Sequence, residues 1–363
     1  MESLEGEMVN FCKVWLSVFI SLCYCYVMAK FVPKGIPRLF CLIPIISLFL
    51  FLPLKLFSVH LGGITAFFVA WLANFKLLLF AFDKGPLSSN HSISLGSFIA
   101  IACLPIKIQQ NPNPNNPSKK PKNKGQKSVL NYAIKGLILG FLMRAHDYTE
   151  YMHPKLIMVM YSFHIYLCLE IILAMVASLS RALLGLELEP QFNEPYLSTS
   201  MQDFWGRRWN MMVSSILRPT VYEPSLKLYA RFTGRKWAPL PATMTTFVVS
   251  AIMHELMFYY LGRVKPTWEI TWFFLLHGFW LTVEILLKKA LTGKFRLPRI
   301  VSGPLTVGFV MVTAFWLFFP QLLRCNGDVR AFNEYAAVGA FVKNVGSVLS
   351  LKTTNASMDL SAF

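Results

Sequence analysis

The chain has 363 residues, of which 55% are hydrophobic and 15% aromatic against only 15% charged. No soluble domain of that size needs so much apolar surface, so the chain reads as an all-α, polytopic membrane protein. Its formal charge of +17 falls in clusters between apolar runs, which suits loops facing anionic headgroups or an anionic cofactor and speaks against a nucleic-acid partner. The seven cysteines have no metal-ligand or paired spacing; most lie in or beside apolar runs, as buried reduced thiols do.

In chain order, runs long enough to cross a bilayer cover Phe11 to Ala29, Leu39 to Phe57, Leu61 to Phe82, Leu156 to Leu184, Pro241 to Leu261, Trp268 to Leu287 and Val301 to Leu323. Ile93 to Ile106 and Val129 to Met143 are shorter. Glu2, Glu5 and Glu7 precede the first run and Lys30, Lys34 and Arg38 follow it, which places the N-terminus on the lumenal side. The start is acidic and shows no small-residue cleavage site, so the first run is expected to be a retained helix. The segment 107–127, with six lysines, belongs on the same cytoplasmic side as Asp83 to Ser92. Ile93 to Ile106 is therefore expected to dip into the membrane or lie along it, while Val129 to Met143 crosses. That gives about eight spans plus re-entrant or interfacial helices in one integral-membrane domain, 1–363. Residues 107–127 read as a flexible basic cytoplasmic loop, because Asn, Pro and Lys cannot build a core. Two glycosylation sequons, at Asn90 and Asn355, fall on opposite sides of this topology, and only the second is expected to be lumenal.

Residues 185–239 form a cytoplasmic or interfacial segment. Within it, Trp205, Trp209, Met212 and Ile216 recur at helical spacing, with Arg207, Asn210, Ser214 and Arg218 on another face. This predicts an amphipathic helix at the interface, tryptophans at headgroup depth and arginines reaching phosphate, its start capped by Thr199 or Ser200. A plain anchor would look the same. A few tens of residues on, His254 sits in an apolar stretch, Pro241 to Gly262, whose only other ionisable residue is Glu255. Ionisable side chains at that depth face a bundle interior or a wet cavity, which marks a functional site; the alternative is a histidine satisfied by a neighbouring carbonyl. A basic, Trp-rich shelf beside a buried histidine suits a phosphorylated, nucleotide-bearing acyl donor.

HLGGITAFFVAWLANFKLLLFAFDKGPLS (His60 to Ser88), NEPYLSTSMQDFWGRRWN (Asn193 to Asn210), SAIMHELMFYYL (Ser250 to Leu261) and WFFLLHGFW (Trp272 to Trp280) resemble the membrane-bound O-acyltransferases, and most of all their plant wax synthase branch. The resemblance covers nearly the whole chain, with 107–127 and the C-terminal tail least alike. It implies a helical bundle of that family's type in the endoplasmic reticulum membrane, and His254 as catalytic histidine. Asn210 then belongs to the catalytic motif, with Trp205, Arg207, Arg208 and Trp209 around the donor. Acyl-CoA is the implied donor, no cofactor is tightly bound, and the acceptor is a lipid alcohol. A long-chain fatty alcohol, giving wax ester, is preferred over diacylglycerol and then sterol, which family membership does not separate.

The residue types suit ester formation on their own account. A base must take the acceptor's hydroxyl proton as its oxygen attacks the thioester carbonyl, a task suited to imidazole with its ordinary pKa near about 6.5. An amide donor such as Asn210 either polarises that carbonyl or holds the donor. Since thiolate leaves readily, direct transfer needs no acyl-enzyme. Glu255, adjacent to His254, points about 100° away on a helix and does not orient its ring; it is either a substrate-site residue or a charge paired with another helix. His277, two turns from Glu284, is open between acceptor binding and interhelical bonding. For Asn74, Lys76, His164 and Glu170, packing or snorkelling is preferred. Phe258 stands where a zincin helix needs its second histidine, so no metal site is expected, and neither a GxSxG elbow nor a phosphate-binding P-loop is present. A transporter is the rival of another class, though no repeated halves are seen.

Overall fold

A computed structural model of the chain describes residues 4–88, 93–105, 129–184, 191–291 and 297–360, among which helices are the only regular elements. Helix α1 (Leu4–Phe31) carries Glu5 and Glu7 in its first turn and Lys30 in its last, each sign opposing the helix dipole. Gly35, at φ 106°, reverses the chain into α2 (Ile36–Phe51). The Ser58 hydroxyl then caps α3 (Val59–Ala81), which passes through a π-helical stretch at Ala66–Ala73. Helix α3 is the axis of the molecule, because 83% of its apolar window is buried against 17–33% for the other six spans. Those six turn most of their apolar surface outward, as helices solvated by lipid do.

Helix α4 (Leu95–Cys103) is only about 13 Å long at 1.5 Å per residue, too short to cross, as its sequence predicts. Lys76 does not snorkel from α3. Fully buried, it donates from Nζ to the carbonyls of Ile101 and Leu104, both at 2.6 Å, and so closes the C-terminal end of α4. Asn74 packs as expected, donating to the carbonyls of Ile46 and Ala70.

Helices α5 (Val129–His146) and α6 (Pro154–Leu184) form a hairpin joined inside by Lys135 and Glu170 at 2.5 Å. Among the described residues, seven helices are long and apolar enough to cross a membrane; α5, the eighth expected span, has 18 residues but is less apolar than those seven. The basic loop 107–127 and the Asn90 sequon lie outside the described residues.

The predicted amphipathic helix is broken in two. Ser200 caps a short helix, α7 (residues 201–208), whose last five residues are π-helical; Trp209 is extended, Asn210 is left-handed at φ 37°, and α8 (Met211–Leu217) begins anew. The hydrophobic spacing runs on across the break because both halves meet the same interior. Met212 and Ile216 pack with Phe192 and Trp209, and Trp205 enters a second cluster with Phe247 and Phe274. The tryptophans therefore pack into the protein's own apolar clusters. After a π-helical turn, the basic helix α9 (Glu223–Trp237) leads into α10 (Pro239–Gly262).

Helix α10 packs along α11 (Glu269–Ala290). A Cβ at Gly278 would come within 2.9 Å of Phe247 Cβ, so that close approach requires a glycine. Helix α12 (Arg299–Arg324) follows, and then α13 (Gly327–Leu360), a 34-residue helix that the apolar pattern does not announce.

Candidate active site

Helices α3, α6, α10, α11 and α12, the α7–α8 break and the start of α13 enclose a cavity of about 1200 Å³. That exceeds the usual few hundred to a thousand Å³ of a small-molecule site and leaves room for two lipid chains. His254, Asn210, Trp205 and Trp209 all line it.

His254 Nδ1 lies 2.7 Å from the Ser250 carbonyl one turn back on α10. A carbonyl only accepts, so Nδ1 carries the proton and the lone pair is left on Nε2, which bonds to nothing in the protein among the described residues. Three rings fix the imidazole: Trp71 at 4.9 Å and 85°, Phe274 at 4.2 Å and 33°, and Phe318 at 6.4 Å and 67°. Trp71 lies within the π-helical stretch of α3, a local irregularity often found at functional sites. Its buried indole N–H has no hydrogen-bond partner among the described residues.

Asn210 reaches the same cavity for a backbone reason. Its left-handed conformation is one that asparagine tolerates, and its Oδ1 accepts from Val213 N at 3.3 Å, starting α8. This bond assigns the amide oxygen, so the carboxamide NH2 is the group left without a partner in the protein among the described residues. One wall thus offers a free imidazole lone pair, and another a free amide donor.

The Membrane bound O-acyl transferase family matches residues 188–276, which include both groups. Relatives span nearly the whole chain. An acyl-CoA–sterol O-acyltransferase of Arabidopsis thaliana is 53% identical over 93% of this chain and 97% of its own length. A long-chain-alcohol O-fatty-acyltransferase of Simmondsia chinensis is 48% identical over 92% and 95%, and a probable long-chain-alcohol O-fatty-acyltransferase of Arabidopsis thaliana is 45% identical over 94% and 97%. The chain belongs to the membrane-bound O-acyltransferase family. It falls in the wax synthase branch and is an acyl-transferring enzyme.

In this O-acyltransferase the remaining sequence-predicted residues do not line the cavity. His277 is fully buried, accepts from Trp205 Nε1 at 3.1 Å and meets Thr313 Oγ1 at 2.8 Å. Thr313 gives its own proton to the Phe309 carbonyl, so its oxygen accepts from His277 Nε2. Both imidazole nitrogens are occupied, and His277 acts by holding Trp205 against the cavity. Glu255 turns away from His254, as helix geometry requires; its Oε1 accepts from Thr271 N at 3.0 Å and Thr271 Oγ1 at 2.9 Å, closing the first turn of α11. Arg208 pairs with Asp203 at 2.8 Å and donates to the carbonyls of Asn193 and Glu194, bracing the loop before α7. Arg207 is exposed and does not line the cavity. Glu284 Oε2 accepts from Met201 N at 2.7 Å at the start of α7.

Trp71 was beyond sequence reasoning, since one tryptophan in an apolar run signals nothing by itself. A polar group at the far end of the cavity, formed by His60, His164, Cys168 and Tyr335, was equally hidden. Its members meet from three helices separated by up to 275 residues.

Proposed function

We propose that this O-acyltransferase moves a fatty acyl group from acyl-CoA to the hydroxyl of a long-chain alcohol, forming a wax ester, with His254 as general base. The observation that carries the proposal is the shared cavity: His254, with its Nε2 lone pair unused, and Asn210, with its NH2 unused, line one aromatic-walled space. His254 Nε2 takes the hydroxyl proton as the alcohol oxygen bonds to the thioester carbonyl carbon. Asn210 donates to the carbonyl oxygen as negative charge gathers there. The carbon–sulfur bond then breaks, the carbonyl reforms, and the imidazolium returns its proton to the coenzyme A thiolate. The endoplasmic reticulum membrane, implied by the resemblance to the family, and a lumenal N-terminus belong to the same proposal, the latter supported by the acids at the start of α1 and the bases at and beyond its end.

A sterol acceptor is the second reading, favoured by the 53% identity to a sterol O-acyltransferase and by a cavity of about 1200 Å³. Microsomes expressing the chain, given labelled acyl-CoA and either a fatty alcohol or a sterol, test both. Labelled ester is expected, falling about 10²–10⁴-fold in His254→Ala at equal protein abundance. Full activity in that variant would remove His254 from the chemistry, and ester formed only with sterol would exchange the two readings.

A further inference from the structure

The cavity has a second polar pole. Glu334 of α13 bonds the first turn of α3, accepting from Val59 N at 2.6 Å, His60 N at 3.1 Å and Ser58 Oγ at 2.9 Å, and its Oε2 lies 2.7 Å from His60 Nδ1. His60 Nε2 is 2.8 Å from the Tyr335 hydroxyl, which is 3.1 Å from His164 Nε2 and 3.5 Å from Cys168 Sγ. His60, His164, Cys168 and Tyr335 line the same cavity as His254. This hydrogen-bonded chain is anchored on a carboxylate and ends at His164, which is only 9% exposed and whose Nδ1 has no partner in the protein among the described residues.

The pole lies far from the reacting centre. Trp71, whose ring touches His254, is eleven residues beyond His60 on the continuous helix α3, a separation of about 16 Å at 1.5 Å per residue. Asn210 lies on the other side of Trp71, because α8 packs beside the C-terminal half of α3, with Met212 and Ile216 in one cluster with Phe68 and Leu72. Between the two poles the wall is aromatic. The apolar end of a simple alcohol gains nothing from a cluster of imidazoles and hydroxyls there, whereas a polar group at that distance fills the vacant valence of His164.

We propose that this pole is a binding subsite for a second hydroxyl, carried by the acceptor lipid at the end remote from the hydroxyl that reacts at His254. The proposal rests on the acyl-transfer reading of the His254 centre. Proton bookkeeping selects a hydroxyl over other oxygen groups. If His60 carries one proton, on Nδ1, it accepts from Tyr335, Tyr335 accepts from His164, and His164 Nδ1 offers a lone pair. With His60 doubly protonated Nδ1 still donates to Glu334, the two bonds through Tyr335 reverse, and His164 Nδ1 offers a proton. A hydroxyl both donates and accepts, so it satisfies either arrangement; a carbonyl or an ether satisfies one.

The test compares α,ω-diols of graded chain length with mono-alcohols of matching length, using the purified full-length protein in detergent with acyl-CoA. The ratio of kcat/KM for diol over mono-alcohol is expected to peak at one intermediate length. Tyr335→Phe and His164→Phe are each expected to lower that peak about tenfold, the worth of one hydrogen bond, through KM rather than kcat. A purely structural clasp would lower stability and leave the ratio as it was. A ratio that does not vary with length in the unaltered protein, or a peak surviving in both variants when they fold, overturns the subsite. Esterification of mono-alcohols separately reports on the acyl-transfer reading. If no alcohol is esterified, the Tm of the purified protein with diol against mono-alcohol still decides: a rise confined to one diol length supports the subsite, and equal rises overturn it.

Discussion

Asn210→Asp separates the two jobs that the proposed mechanism gives one asparagine. Asparagine in the left-handed conformation starts α8 through Oδ1 and lines the cavity, and the proposal makes its NH2 the donor there. Aspartate keeps the first job, since a carboxylate oxygen accepts from Val213 N, tolerates the same backbone and is favoured at a helix N-terminus. Thermal unfolding should therefore shift by less than the cost of a lost cap, about 0.5–2 kcal/mol. The second job is lost entirely, because a carboxylate donates nothing and places negative charge where the oxyanion forms. Loss of one such donor costs about 10²–10³ in kcat. The assay is single-turnover acyl transfer on detergent-purified protein with Tm measured on the same sample, beside Asn210→Gly, which keeps the backbone but neither bond. An aspartate variant that retains a tenth or more of the rate would reduce Asn210 to a helix cap and refute the reasoning.

Further outcomes follow from other contacts. Lys76→Met leaves the carbonyls of Ile101 and Leu104 without a donor; at about 1–3 kcal/mol for each orphaned group, the Tm should fall and hydrogen exchange should rise in α4 first. His277→Phe removes the bonds to Trp205 and Thr313, and should lower kcat by disordering the cavity wall while the pH profile of the remaining activity stays in place, since His277 has no lone pair to offer substrate. Glu255→Leu strips the first turn of α11 of its acceptor and should cost about 1–3 kcal/mol of stability, read as Tm, with activity per folded molecule maintained. At Glu334, burial pushes the carboxyl pKa up, but hydrogen bonds from the His60 ring, the backbone of His60 and Val59, and Ser58 outweigh it and hold the pKa below the ordinary 4.5. A depressed carboxylate contributes stability above its unfolded value and loses it as pH falls through the folded one, so docking of α13 should survive at pH 5 and fail only in stronger acid, as followed by proteolysis of α13.

The membrane helices were legible because their apolar runs are long and flanked by charge, and α4 was legible because it is short. His254 stood out as a charge-capable residue in hydrocarbon, and Asn210 through its motif. What escaped were features made by distant partners. Helix α13 looked like a tail because Asp328, Arg330 and Glu334 interrupt its pattern, yet Arg330 bonds the carbonyls of Leu261 and Phe57, and Glu334 holds α3. The break at Trp209 and Asn210 escaped because a hydrophobic period records which residues face the interior and not whether the backbone between them is continuous. Lys76 read as packing or snorkelling, because nothing in the sequence signals that two carbonyls of a short helix need a donor.

The three rings around His254 bear on what happens once the chemistry is over. On the proposed transfer the ester no longer carries the hydroxyl that reacted at His254, and the ring faces of Trp71, Phe274 and Phe318 offer its chains no hydrogen bond. Coenzyme A, by contrast, becomes fully water-soluble at the same instant. Two such products are drawn into different phases, oil and water, and their separation makes the reverse reaction scarce without any moving part to enforce it.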